Sequence, residues 1–355
     1  MNMQKIAEAI VSIVGDYHTQ HGFRFTPERV LTWVKQFEVD DRKFILEELL
    51  HLLKQGIYIS EAKARMLLIA RIEKLARIYK FSSTVAFLAN ADFLSLQNEE
   101  KSQTVLLELL DEELQKKYGM GLAQCGTAAK KFAIYIDDVL ATGGSVFRDL
   151  NRWLPIKDVY GKSNFDKVLS EEIILSVYHF CNHKANTTLW RLNIAFNKKE
   201  IHKKIKIFFD YEVQNHLSFD GQKYNFTYPH ESNKELIKDY FDSLPDYATK
   251  YEQKAFRKEG LPENESFFSS PDNRTRFENI LLMKGIDLLD SAQTKHDNHR
   301  PLGATIPSYK LLGTGTLFFT WRNISNTTPI VFWWGAGGWL PLFPLYKRGQ
   351  TGFEI

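Results

Sequence analysis

The chain has 355 residues, enough for one large core or two ordinary ones, and its 44% hydrophobic and 25% charged content excludes wholesale disorder. Lysine and arginine number 46 against 43 acids, a balance of +3 that is too small to imply nucleic-acid binding by itself. Two cysteines, Cys125 and Cys181, cannot build a disulfide framework and suit a reducing cytosol, so a cytoplasmic protein is expected.

The opening MNMQKIAEAIVSIVGDYH lacks a basic leader and spaces its apolar residues periodically, which predicts an amphipathic helix rather than a signal peptide. Residues 1–80 read as a helical module. Thr26 is a helix cap followed by Pro27, with Val30, Trp33, Val34 and Phe37 on one face. A second helix is expected over Arg42–Lys54, stopping at Gly56. A short β-like IYIS follows, and Ser60 opens a helix with Ile69, Ile72, Ala76 and Tyr79 inward. Three helices and a short strand outline a winged-helix-like module; a small bundle packed on the main domain fits the same pattern.

Over residues 81–355 apolar runs alternate with helical stretches, which predicts an α/β domain on a parallel sheet flanked by helices. Thr84–Leu88 is expected as a strand, and Ser102 as the cap of a helix through Leu114. Phe132–Ile136 is a continuous apolar run, as in a strand covered on both faces. A helix is expected over Ser145–Leu154, strands over Ile173–Phe180 and Ile205–Phe209, and helices near Lys234–Leu244 and Arg274–Asp290. The uncharged stretch Thr328–Tyr346 approaches the length of ~20 residues that a membrane helix needs. Gly335, Gly337, Gly338, Pro341 and Pro344 would break such a helix, so a buried strand and turn is expected, with no membrane contact.

The chemistry concentrates in Tyr135–Phe147, YIDDVLATGGSVF. A strand, a glycine-bearing loop and a helix start form the usual ligand crevice of an α/β sheet. The amides of Thr142, Gly143, Gly144 and Ser145 can converge on a phosphate, helped by the helix dipole. Asp137 and Asp138 would repel that phosphate unless the ligand also brings hydroxyls, which carboxylates accept well. A phosphate at one end and a cis-diol at the other describe a ribose 5-phosphate. No lysine follows the glycines as in a P-loop, and no G-x-G-x-x-G is present.

FAIYIDDVLATGGS resembles the phosphoribosyl-diphosphate signature of type I phosphoribosyltransferases, and its LATGGS portion is similar to that of uracil phosphoribosyltransferases. The resemblance implies that Asp137 and Asp138 hold the ribose hydroxyls and that Ala141, Thr142, Gly143, Gly144 and Ser145 cradle the 5-phosphate. Its ligand would be phosphoribosyl diphosphate or a ribonucleotide, and its cofactor Mg²⁺, held by Asp137, Asp138 or Asp210. A broader likeness involves the Trp33, Gln36 and Phe37 module, Ser102-Gln103, Pro301-Leu-Gly303 and Asn326-Thr-Thr-Pro329. These resemble phosphoribosyltransferase-like proteins of bacterial antiphage systems, some encoded beside retron reverse transcriptases. That implies an effector role, with a protein or a reverse-transcriptase/DNA partner in a defence complex.

Transfer requires a held diphosphate and an oriented nucleophile. The best diphosphate candidate is Lys101-Ser102-Gln103 at a helix start, against the plainer reading of a cap with an exposed lysine. Purine-type enzymes often carry an acid where Ala141 stands, and no catalytic residue is assigned. His179, Cys181 and His183 would share a strand face, an incomplete set for zinc. The run KKEIHKKIK at Lys198–Lys206 reads as a solvated face, Gly313–Thr316 as a turn, and Trp333, Trp334, Trp339 and Phe343 as core.

Overall fold

The computed structural model describes residues 1–98, 101–185, 191–192, 195, 201–216, 223–245 and 254–346; part of the basic run, 198–200, lies outside them. In chain order the elements are α1 (Met3–Val14), α2 (Pro27–Val34), α3 (Val39–Leu52), β1 (Tyr58–Ile59), α4 (Glu61–Ile78), α5 (Thr84–Leu88) and β2 (Ala91–Phe93). They continue with α6 (Ser102–Tyr118), β3 (Phe132–Leu140), α7 (Gly144–Trp153), α8 (Asn164–Leu169), β4 (Ile174–His183) and α9 (Ile201–Lys204). The last are β5 (Lys206–Val213), α10 (Lys238–Asp242), α11 (Pro271–Ser291) and β6 (Phe319–Thr320). The fold is α/β, with parallel strand pairs flanked by helices. Two compact units form, Ala62–Glu212 and the combination of Met1–Glu61 with Val213–Ile355, a division that does not coincide with the composition change at residue 80.

The Ala62–Glu212 unit carries a four-stranded sheet in the order β2-β3-β4-β5, with β2–β3 and β3–β4 parallel. The first five residues of β3, Phe132–Ile136, are apolar and buried, as their composition predicts. On one face Ala133, Tyr135, Leu175 and Val177 pack with Val146, Leu150, Trp153 and Leu154 from α7 and its end. On the other, Phe132 meets Tyr79, Phe81 and Phe87, and the Arg71 guanidinium lies over Tyr178. Thr84–Leu88 is helical rather than a strand. Ser83 caps it by accepting a hydrogen bond from the Ala86 amide at 3.1 Å, and so short an apolar run carries no periodicity to separate the two states. The strand begins later, at Ala91.

In the other unit, Thr26 accepts from the Arg29 amide at 3.3 Å and Pro27 opens α2, burying Val30, Trp33 and Val34. The Trp33 indole donates to the Val331 carbonyl at 3.0 Å and stacks on Phe332. Strand β1 pairs in parallel with β6, Tyr58 opposite Phe319. The expected strand within Thr328–Tyr346 is absent: a short 3-10 turn over Ile330–Phe332 buries Ile330, Val331, Phe332 and Trp333. Gly337 and Gly338, both at positive φ, then bend the chain, which no extended run tolerates. Among the described residues no helix is long and apolar enough to cross a membrane. Arg274, fully buried, bonds to Glu265 and Glu278, and Glu278 also accepts from Arg257 at 2.9 Å.

Two outcomes are expected from this packing. Arg274→Met removes the cation that Glu265 and Glu278 share, leaving Glu278 with Arg257 and Glu265 with the Phe267 and Phe268 amides, and should cost roughly 3–5 kcal/mol in urea unfolding; a loss within 1 kcal/mol would mean that these remaining partners suffice. His179 and His183 are fully buried, and burial pushes both imidazoles down to about 3. An unfolded histidine takes its proton near pH 6.5, so this stability is fully present above about pH 6.5 and drains as pH falls toward 3, at up to about 1.4 kcal/mol per pH unit per histidine. The melting temperature of His179→Phe should therefore fall less steeply between pH 7 and pH 5 than that of the wild type.

Candidate functional site

The C-terminal half of β3 delivers the two acids differently. Asp137 is 4% exposed and turned onto the face it shares with Tyr135. It accepts from the Ser102 hydroxyl, from the Asp138 amide at 3.0 Å, from Gln97 Nε2 at 3.2 Å and from the Tyr135 hydroxyl at 3.3 Å. Asp138 is half-buried, and its carboxylate accepts from the Val139 amide at 2.7 Å. Asp138 also lies close enough to β4 for its charge to act on His179 and Cys181.

Past β3 the chain bends through Ala141 and the exposed Thr142 into Gly143, which has φ 76° and sits as the N-cap of α7. Only glycine adopts that left-handed backbone without strain. A glycine cap brings no side-chain acceptor, and α7 has no acid in its first turn. Its leading amides therefore keep their donor capacity at the positive end of the dipole. Ser145 is exposed there, with Arg148 donating to its hydroxyl at 3.3 Å.

Lys101-Ser102-Gln103 sits beside these acids. Lys101 rather than Ser102 is the N-cap of α6, and the Ser102 hydroxyl donates to Asp137. Gln103 is fully buried and accepts from the Leu96 and Gln97 amides at 2.6 and 3.1 Å, which fixes the loop before α6. Lys101 is exposed. The fold thus brings together the acid pair, the glycine loop and the α6 start, which lie apart in sequence.

Sequence reasoning missed Gln97, Tyr135 and Asp149. Asp149, 2% exposed, accepts from the Tyr135 hydroxyl at 2.8 Å, from Gln97 at 3.0 Å and from Arg152 at 2.8 Å. Burial, then the charges of Asp137 and Asp149, push the Tyr135 phenol far above its ordinary range, so it stays a donor. The one available signal was helical spacing, which sets Asp149 behind the loop on α7.

Asp210 lies within β5 rather than at its end, exposed, paired with Arg71 at 2.6 Å and bonded by the Tyr178 hydroxyl. His179, Cys181 and His183 are all buried on β4. Among the described residues no group of three or more His, Cys, Asp or Glu side chains is placed to hold a metal ion.

A model of the family described as PRTase-CE matches residues 30–345, spanning both acids, the glycine loop and the α6 start. No curated protein and no solved structure matches the chain. The chain belongs to the PRTase-CE family, a phosphoribosyltransferase-like family.

Proposed function

We propose that the chain binds phosphoribosyl diphosphate or a ribonucleotide at the end of β3 and carries out phosphoribosyl transfer or nucleotide-directed chemistry. The observation that carries this reading is the Gly143 cap, which leaves the first amides of α7 without a side-chain acceptor, beside a half-buried Asp138. The 5-phosphate sits on those amides and on the Thr142 and Ser145 hydroxyls, and Arg148 adds a cation at the rim. Asp138 accepts from the ribose diol, while Asp137, already given four protein donors, keeps that strand end in place.

Lys101 and the α6 start take the departing diphosphate, whose growing negative charge the cation and the dipole offset. Mg²⁺ takes one or two carboxylates and completes its shell with water and phosphate oxygens. Asp138 fits as a single donor of that kind; Asp210 does not, since Arg71 and Tyr178 hold it. When bound, the ion would neutralise part of the diphosphate charge. The likeness to antiphage phosphoribosyltransferase-like proteins supports a role as a defence effector with a protein or reverse-transcriptase/DNA partner.

The commitment of Asp137 to protein donors favours a second reading, a ribose-phosphate sensor or interaction protein that signals through its N-terminal module without turnover. Pyrophosphate release from phosphoribosyl diphosphate with Mg²⁺ and candidate bases separates the two, since the sensor gains thermal stability from the ligand but releases nothing. Asp138→Ala should remove either signal while the protein still melts cooperatively; normal ligand-induced stabilisation of this variant would end the site assignment. Gly144→Ala tests the amides. A methyl there meets only Thr142 Oγ1, at 3.9 Å, so the melting temperature should hold or rise slightly. Ligand affinity should nevertheless drop about tenfold, because the methyl blocks close approach to the backbone.

A further inference from the structure

We infer that Gln97, Tyr135 and Asp149 are positioning residues that lock the phosphate loop, the acid pair and the α6 start at one fixed separation. The inference rests on the ribose-phosphate reading above. Gln97 Nε2 lies 3.2 Å from Asp137 Oδ2 and 3.0 Å from Asp149 Oδ2. The Tyr135 hydroxyl lies 3.3 Å from the first and 2.8 Å from the second. A phenol has one proton and an amide nitrogen two, so Tyr135 shares its proton between the acids, closer to Asp149, while the Gln97 protons are divided among both acids and the Tyr135 oxygen, 2.8 Å away.

Each end of this chain of bonds reaches a different part of the site. Asp149 belongs to α7, whose first turn is the phosphate loop. Asp137 belongs to β3 and takes the Ser102 hydroxyl from the α6 start. Gln97 is itself fixed by Gln103 of α6 through its amide at 3.1 Å. Arg152 closes the outer side, bonding Asp149 at 2.8 Å and the Leu96 carbonyl at 3.2 Å. Helix α7 cannot slide along the sheet without breaking donors that Asp137 also uses.

Stability alone is a poor reason for this arrangement. Two acids, 4% and 2% exposed, are faced by one mostly exposed arginine. A well-packed apolar group of similar volume stabilises a core as well or better. A ligand that bridges the α7 amides and the α6 start needs both at a set distance, and misplacement weakens it steeply. A ligand that touches only the loop and Asp138 has no such need.

The test compares phosphoribosyl diphosphate with ribose 5-phosphate by calorimetric titration of the full chain. Tyr135→Phe and Asp149→Asn keep shape while removing a bond. Tyr79→Phe is the matched control, since it removes a hydroxyl bonded to Ser176 at 3.2 Å, away from the network. Tyr135→Phe and Asp149→Asn should weaken phosphoribosyl diphosphate about tenfold and leave ribose 5-phosphate within about twofold of wild type, with Tyr79→Phe unchanged for both. Equal weakening of both ligands, or losses that merely follow the melting temperature across all three variants, would overturn the positioning role and leave the binding site standing. A wild-type chain that binds neither phosphoribosyl diphosphate nor a ribonucleotide overturns the functional reading itself, and the positioning role with it.

Discussion

A carboxylate buried at the end of a strand must be answered by donors, and the need to answer Asp137 organises the candidate site. Water cannot reach it at 4% exposure, so the protein supplies a serine hydroxyl, a main-chain amide, a side-chain amide and a phenol. These come from the α6 start, from β3 itself and from the loop before α6. Leaving such a group unanswered costs more than any one of the bonds gains, so the elements that carry the donors are held where they are. The loop that follows inherits that fixed origin.

From this anchor the electrostatics of the loop follow. Gly143 turns the chain left-handed and starts α7 without contributing an acceptor. The leading amides of α7 thus lack a side-chain cap at a place where Asp137 has protein donors and Asp138 is half-buried. A phosphate placed there meets the positive end of a helix dipole at short range, next to the half-buried Asp138. Membership of a phosphoribosyltransferase-like family agrees with that distribution of charge.

How much of this was legible depends on the range of the interaction. The glycine loop and paired acids are local, and their order along YIDDVLATGGSVF identifies strand, bend and helix start without the fold. Trp33 and its neighbours are equally local, since a helical face declares itself by spacing. The donors to Asp137 are not: Gln97 lies 40 positions upstream, and glutamine carries no signal of the carboxylate it will serve. Thr84–Leu88 misleads because its β-branched start favours a strand while Ser83 caps a helix. The run Thr328–Tyr346 misleads for a different reason. Burial there comes from side chains such as Trp33 and from turns, so a hydrophobic stretch gives the depth of the segment but not its backbone shape.

The parallel pairing of Tyr58–Ile59 with Phe319–Thr320 has a consequence for the order of biosynthesis. The unit bearing the candidate site, Ala62–Glu212, is continuous and can collapse once its last strand has left the ribosome. The first helices cannot close their own core then, because the indole of Trp33 and the backbone of β1 await partners from near the other end of the chain. Nascent chains thus carry a complete Ala62–Glu212 unit while their leading segment still exposes apolar surface.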